Sequence, residues 1–213
     1  MHIAFILISL TLFLGCDPYQ SRFSEKEYSE LDADITHSDS HYYPINGVQY
    51  KFRQLDYDQN NILRKETFFR DNKVHIVKLY NSNGYIEVEE THSKSTPQKI
   101  QKTTYYPNGQ AKEKYSHINY TKDGRYISYY KNGTLSGDIY YENGIMVGAC
   151  SWYFPSGNLK RIKEFTSDSN LSYQIDFYEN GQRKSEGTFA GDAFSGRWIF
   201  YDQLGTITLE SDY

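Results

Sequence analysis

Cysteine, proline and aliphatic residues are scarce in this sequence. Its 213 residues include 2 cysteines, Cys16 and Cys150, and 5 prolines, which excludes a small fold stapled by several disulfides. Hydrophobic residues make up 38% of the chain and the mean hydropathy is −0.74, low values for a thick core. Aromatic residues compensate, since they account for 17% of the chain and include 22 tyrosines. This balance favours a thin sheet with two partly wetted faces.

Motifs that carry catalysis or hold cofactors are also missing. The sequence contains no phosphate-binding glycine loop, no His-Glu-x-x-His, no paired Cys-x-x-Cys and no Gly-x-Ser-x-Gly. His37 and His41 flank Asp39, but a polar segment without supporting contacts makes a poor metal site. We therefore predict that the protein is not an enzyme and holds neither a metal nor a cofactor.

The sequence does contain a motif that recurs about every 24 residues, a period typical of repeat arrays. Each copy has an aromatic residue, a short polar stretch and a glycine, as in Tyr129-Tyr-Lys-Asn-Gly133. The motif glycines are Gly84, Gly109, Gly133, Gly157, Gly181 and Gly205. The segment from Tyr57 to Asn61 is a degenerate seventh copy. A fixed period indicates stacked units, each of which buries its apolar side chains only against its neighbours.

Each unit is predicted to be a β-hairpin. Asn-Gly between runs rich in aromatic and β-branched residues favours a two-residue type I′ turn, because Asn and Gly tolerate positive φ. The pairs are Asn108-Gly109, Asn132-Gly133, Asn143-Gly144 and Asn180-Gly181. A further glycine inside the period, as at Gly124, Gly148 and Gly196, predicts a second turn. Each unit is therefore expected to contain two strands of about five or six residues. The predicted fold class is all-β, an elongated array of antiparallel β-hairpins in a single twisted sheet.

Part of the repeat resembles a known family. The segment Tyr141-Glu-Asn-Gly144-Ile-Met-Val-Gly148-Ala-Cys-Ser-Trp152 is similar to the MORN repeat, and most similar to the variant found in bacterial, antitoxin-type repeat proteins. The similarity recurs around Gly196 and, more weakly, around Gly124, and it covers about residues 55–209. The resemblance implies a MORN-like hairpin sheet with a binding role, or, more narrowly, an antitoxin or immunity protein that masks a toxin.

Two files of aromatic residues are expected on opposite faces of the sheet, since neighbours along a strand point to opposite sides. The first file has a ring in every unit and is predicted, with Trp152 and Trp198, to be structural core. It comprises Tyr57, Tyr80, Tyr105, Tyr129, Tyr153, Phe177 and Tyr201. The second file occurs only in the middle units, at Tyr106, Tyr130, Phe154 and Tyr178. The second file is either a half-exposed part of the sheet or a strip that binds a protein partner. A glycan would also fit such a strip, but nothing in the sequence selects it.

The N-terminal segment predicts an exported lipoprotein. Residues 3–14 form an apolar run that is too short to cross a bilayer and fits a signal peptide. Gly15-Cys16 follows this run and resembles the bacterial lipobox, which implies cleavage before Cys16 and lipidation of Cys16. An ordinary signal peptide with a coincidental cysteine is the alternative. The expected location is the bacterial cell envelope, on either the inner or the outer membrane.

The segment after Cys16 is acidic. Residues 17–41 carry seven acidic and two basic residues, a net charge of −5, against −4 for the whole chain. Such a segment is predicted to be a flexible tether, and the nearly neutral remainder argues against a nucleic-acid partner. We therefore predict a signal peptide at 1–15, a lipidated cysteine and tether at 16–41, and a repeat domain at 42–213 with units ending near 61, 84, 109, 133, 157, 181 and 205. The expected function is a non-catalytic envelope scaffold that binds a protein or another macromolecule.

Overall fold

The described part of the chain consists of β-strands and their connections. The computed structural model describes residues 43–45, 48–50, 52–71, 73–95, 98–166 and 171–213. No helix within these ranges is long and apolar enough to cross a membrane. The strands are β1 (Tyr43–Ile45), β2 (Val48–Tyr50), β3 (Phe52–Tyr57), β4 (Leu63–Arg70), β5 (Lys73–Tyr80), β6 (Ile86–His92), β7 (Lys99–Tyr105), β8 (Ala111–Ile118), β9 (Thr121–Lys122), β10 (Gly124–Tyr129), β11 (Leu135–Glu142), β12 (Ile145–Met146), β13 (Gly148–Tyr153), β14 (Leu159–Phe165), β15 (Leu171–Phe177), β16 (Arg183–Ala190), β17 (Ala193–Tyr201) and β18 (Ile207–Asp212).

Sixteen of these strands form one sheet, in which fourteen follow chain order while β9 pairs with β8 and β12 pairs with β11 beside this path. The sheet runs from β18 at one edge to β3 at the other, while β1 and β2 form a separate two-stranded sheet. Every pair in the large sheet is antiparallel, so the sheet is a row of hairpins: β3/β4, β5/β6, β7/β8, β10/β11, β13/β14, β15/β16 and β17/β18. The main strands have six to nine residues, slightly more than predicted. The predicted all-β hairpin array in a single sheet is confirmed.

The loops that close these hairpins contain three residues, and the last of the three is left-handed: Asn61 in β3/β4 and a glycine in the other six. In β7/β8 the N–H of Tyr106 donates to the carbonyl of Gln110 at 2.8 Å, and the N–H of Gly109 donates to the carbonyl of Tyr106 at 2.8 Å. Gly109 has a φ of 82°, whereas φ of Asn108 is not positive. This geometry is a β-turn followed by a left-handed glycine. These loops all lie at the same end of the strands. We call that end of the sheet the loop side, and the opposite end of the strands the turn side.

The type I′ turns predicted at Asn108-Gly109, Asn132-Gly133 and Asn180-Gly181 are therefore wrong. A type I′ turn needs positive φ at both residues, and at these sites only the glycine has it. The physical reason is that the loop has one residue more than a type I′ turn. The asparagine is therefore the third residue of a β-turn, where φ is negative, and the glycine follows it. The prediction is correct on the turn side at Asn143-Gly144, where φ is 49° and 82°.

The side chains of the large sheet lie on two faces, which the strand register identifies, because directly opposed residues share a face. Trp152 is opposite Arg161, and Arg161 is opposite Asp176. We call the face that carries Trp152, Cys150 and Trp198 the aromatic face. We call the other face, which carries pairs such as Arg125 and Asp138, the charged face.

Few side chains are fully buried, as expected for a single sheet. The buried hydrophobic residues in the described ranges are Phe68, Ile76, Ile139, Cys150 and Trp198. The Trp198 ring lies against the backbone of Gly187, where an added Cβ would come within 2.3 Å of the ring. Its Nε1–H donates to the carbonyl of Thr188 at 2.8 Å. Glycine at position 187 thus creates the space in which the largest core side chain packs.

Candidate functional site

The second file of rings lies on the loop side of the sheet. Tyr106, Tyr130, Phe154 and Tyr178, which we call the ring strip, each follow directly after a strand, at the start of a three-residue loop. All four side chains are half-buried. Each strip residue is the neighbour in sequence of a first-file ring, so the two files occupy different faces, as the alternation of the strands predicts.

Three of the four strip residues are tied to the following hairpin by their hydroxyl groups. Tyr106 Oη donates to the carbonyl of Tyr129 at 2.8 Å, and Tyr130 Oη donates to the carbonyl of Tyr153 at 2.7 Å. The same bond joins Tyr178 to Tyr201 at 2.8 Å. Phe154 has no hydroxyl and makes no such bond. The ring strip therefore has a structural role, because it connects consecutive units through backbone carbonyls.

Asparagines in the loops make a second set of contacts between units. Asn108 Nδ2 donates to the carbonyl of Lys131 at 3.1 Å, and Asn132 Nδ2 donates to the carbonyl of Pro155 at 3.1 Å. The equivalent bond in a later hairpin runs from Asn180 to the carbonyl of Gln203, and Asn158, which follows Gly157, reaches the carbonyl of Glu179. Sequence reasoning assigned Asn108, Asn132 and Asn180 to turns and missed this role. The signal available in the sequence was the recurrence of Asn beside the aromatic motif at the period of the repeat.

Units without a strip ring use a different residue at that position. Asp58, Asn81 and Asp202 occupy it in the outer hairpins, and each accepts two backbone N–H groups of its own loop. Such a side chain stabilises its own turn and does not reach the next unit. In the first hairpin Asn61, with a φ of 59°, takes the place of the motif glycine. The ring strip is thus confined to the middle of the array.

The motif glycines occupy the turn positions expected of them. Gly84, Gly109, Gly133, Gly157, Gly181 and Gly205 have φ between 78° and 92°, and Gly144 has a φ of 82°. Left-handed backbone of this kind is costly for most residues with a Cβ. Glycine at these positions therefore permits the loop geometry that places the ring strip.

Lysine side chains accompany part of the ring strip. Lys160 Nζ lies 5.7 Å from the ring centroid of Phe154, and Lys184 Nζ lies 5.9 Å from that of Tyr178. Both lysines are exposed. A small open cavity of about 120 Å³ lies beside Lys160, lined by Tyr130, Ser136, Trp152, Tyr153, Lys160 and Arg161. The loop side therefore presents aromatic rings, ammonium groups and a shallow depression together.

The first file of rings lies on the charged face and is half-buried. Tyr80 Oη donates to Glu66 Oε2 at 2.9 Å, and Tyr201 Oη donates to Glu186 Oε1 at 2.5 Å. Burial, and then the hydrogen bond to the Glu66 carboxylate, raise the pKa of Tyr80 well above its usual value. Tyr80 and Tyr201 shield carboxylates within the sheet. Phe68 and Ile76 are buried on this same face, whereas Cys150 and Trp198 are buried on the aromatic face.

Glu186 is the centre of a hydrogen-bond network on the charged face. Tyr173 Oη donates to its Oε2 at 3.1 Å, and Arg183 donates to both carboxylate oxygens. Burial by itself favours the neutral acid, but the hydrogen bonds from Tyr201 and Tyr173 and the charge of Arg183 outweigh it and lower the pKa of Glu186. The carboxylate is therefore a fixed anion that joins β15, β16 and β17.

The aromatic face holds a lysine between three tyrosines. Lys122 Nζ lies 4.1 Å from the ring centroid of Tyr126, 5.1 Å from that of Tyr141 and 5.3 Å from that of Tyr115. These are cation–π distances. This contact packs strand β9, on the turn side, onto the sheet. The cation that the three rings contact is the chain's own Lys122 ammonium group.

The described ranges contain no group of three or more His, Cys, Asp or Glu side chains that could hold a metal ion. Cys150 is fully buried, and burial raises the pKa of its thiol, so this residue packs in the core. Trp198 is also buried, at 1% exposure, whereas Trp152 is half-buried beside the ring strip. The proposed lipidation residue Cys16, and His37 and His41, lie outside the described residues.

Tandem hairpins in one open sheet, with side-chain contacts repeated from unit to unit, define a repeat scaffold. Residues 122–143, 146–166 and 173–190 match the MORN repeat variant. These segments are therefore similar to MORN repeats, and they include β10, β11, β13, β14, β16, most of β15 and three of the strip residues. A search of curated proteins found no match to the chain.

Proposed function

We propose that this protein is a non-catalytic scaffold that binds another protein through the ring strip. The observation that carries the proposal is the hydrogen bonding of the strip tyrosines, exemplified by the 2.7 Å bond from Tyr130 to Tyr153. Rings held in one orientation lose little conformational freedom when a partner covers them. Tyrosine is also a residue type favoured at protein interfaces.

We further propose that the scaffold is anchored in a bacterial cell envelope through lipid on Cys16. Support comes from the apolar run that ends in Gly15-Cys16. Several acyl chains, at about 0.8 kcal/mol per buried methylene, hold a protein stably on a membrane. Metabolic labelling with a fatty acid is expected to mark the wild-type protein and to leave Cys16→Ser unlabelled. Label that persists in Cys16→Ser would contradict the anchor.

Affinity capture tests the binding role. The tagged full-length protein, purified from membranes in mild detergent, is expected to retain a stoichiometric protein partner. The double variant Tyr130→Ser/Phe154→Ser is expected to lose the partner and to keep the circular dichroism of a β-protein. Tyr130→Phe removes only the hydroxyl that bonds Tyr153, so it is expected to bind the partner more weakly than the wild type and more tightly than the double variant.

The matched control is Tyr120→Ser, which alters a tyrosine that is 97% exposed on the turn side. This variant is expected to capture the partner like the wild type. A folded double variant that still captures the partner would show that the ring strip is not the binding surface, and an unfolded one would show that the rings are core. A toxin among the captured proteins would support the narrower role of antitoxin or immunity protein.

A further inference from the structure

The spacing of the ring strip fits one kind of ligand. The rings recur once per two strands, and strands are about 4.8 Å apart, so neighbouring rings are separated by about 10 Å. A polyproline II segment has three residues per turn and rises about 9.3 Å in each turn. One residue in every three of such a segment therefore reaches successive rings.

A β-strand ligand does not satisfy the same spacing. Three residues of a β-strand also span about 10 Å, but side chains alternate between its two sides. Residues three apart would consequently point in opposite directions, and only every second ring would be contacted. In the polyproline II conformation residues three apart point to the same side. The period of the strip thus favours polyproline II.

Charge along the loop side restricts the ligand further. Lys160 and Lys184 lie beside strip rings and are exposed. Lys112 is exposed at the equivalent position of the Tyr106 hairpin, and Lys131 is exposed in the next loop. Glu179 is the acidic residue of these four loops. The excess of ammonium groups is complementary to a ligand that carries carboxylates.

The depression beside Tyr130 supplies a place for the ligand's side chains. It opens beside Tyr130 and Lys160, with Trp152 in its lining and a volume of about 120 Å³. An aromatic-lined groove is the type of surface that binds proline in polyproline II ligands. The lysine at its border is placed to meet a carboxylate on an adjacent ligand residue.

From this combination of period, rings and charge we propose that the ring strip binds an acidic, proline-rich segment of a partner protein in the polyproline II conformation. This inference rests on the proposed function and names the class of partner. Proline would pack on the rings at every third position, and Glu or Asp would face Lys160 and Lys184.

Fluorescence anisotropy with labelled peptides tests the inference on the full-length protein. The probe is a peptide of four Pro-Pro-Glu triplets, and the controls are four Pro-Pro-Lys triplets and four Gly-Gly-Glu triplets. The first peptide is expected to bind at least about tenfold more tightly than either control. The variant Lys160→Glu/Lys184→Glu is expected to weaken binding about tenfold or more. The control variant Lys73→Glu changes an exposed lysine on the turn side and is expected to leave binding unchanged.

Each contrary result overturns a defined part of the inference. Equal binding of the Gly-Gly-Glu peptide would exclude a polyproline II requirement, and unchanged binding to Lys160→Glu/Lys184→Glu would exclude this surface. A gain of tenfold or more on replacing Glu25, Glu27 and Glu30 by Gln would show that the chain's own acidic segment occupies the strip. Strip-dependent capture of a partner without peptide binding would overturn the class of partner and leave the proposed function standing.

Discussion

At the scale of single residues, consecutive hairpins are joined by side chains that reach backbone carbonyls. Tyr130 and Asn132 both do so, at 2.7 Å and 3.1 Å. Each such bond contributes about 1 kcal/mol net, and more when its loss leaves a carbonyl without a partner. The tyrosine and asparagine bonds recur along the array and therefore stabilise the loop side. An isolated unit would lack them, because each bond joins two neighbouring units.

His117 is a residue whose burial predicts a pH dependence. It is 7% exposed, and its Nδ1 has no hydrogen-bond partner. Burial lowers its pKa; among the neighbouring charges Glu90 raises it, while Lys102 and His92 lower it further. The unfolded chain therefore takes up a proton near the ordinary pKa of about 6.5 before the folded protein does. Stability is present above this pH and is lost as the pH falls below it.

The expected result is that His117→Gln flattens the fall in stability between about pH 7.5 and pH 5.5. Urea unfolding midpoints of wild type and variant at the two pH values provide the measurement. His75→Gln is the control for a histidine substitution in the same sheet. A variant whose midpoint falls with pH as much as that of the wild type would show that His117 is not the responsible group.

At the scale of elements, the hairpin loop depends on a left-handed residue that follows the turn. Gly181 has a φ of 86°, and an added Cβ there would meet nothing within 4 Å. Substitution at this position therefore changes backbone strain without creating a clash. Asn61 shows that asparagine adopts this conformation in the same loop, with a φ of 59°.

Gly181→Ala is expected to destabilise the protein by about 1–2 kcal/mol, because alanine is strained in the left-handed region. Gly181→Asn is expected to cost less than half as much, since asparagine tolerates positive φ. The comparison is made by urea unfolding of the two variants and the wild type. Equal losses in both variants would show that the conformation at this position is not the source of the effect.

At the scale of the whole molecule, each hairpin of the large sheet pairs with the hairpins beside it in the described part of the chain. Stability in such an array is a sum of unit and interface contributions, so one end can loosen while the other stays folded. Phe68, at 4% exposure, and Trp198, at 1%, are core residues near opposite ends. They offer a matched pair of sites for testing this behaviour.

Phe68→Ala is expected to cost about 3–5 kcal/mol locally and to accelerate amide hydrogen exchange in β3 to β6, with little change in β15 to β18. Trp198→Ala is expected to produce the reverse pattern. Hydrogen exchange followed by mass spectrometry on both variants resolves the two ends. A uniform acceleration along the chain in either variant would indicate a single cooperative unit instead.

The hairpin array and the face alternation follow from the sequence with few additional assumptions. The motif glycines coincide with the loops that close the hairpins, because glycine and asparagine carry strong conformational preferences for turns. The turn type was not predictable from Asn-Gly alone. Asn132-Gly133 and Asn143-Gly144 have the same two residues, yet they form a three-residue loop and a two-residue turn. Strand register across the hairpin determines which loop length closes the ladder.

The sequence by itself determined a β-hairpin repeat whose rings recur at one period, because local turn preferences and alternation act within a single unit. Only the tertiary structure decided that the Tyr106 and Tyr130 hydroxyls join neighbouring units, and that Gly187 makes room for Trp198. The acceptors of those hydroxyls are backbone carbonyls, which every residue has, so no residue type in the sequence marks them. Which groups meet across strands depends on register and sheet geometry, and these exist only once the units have stacked.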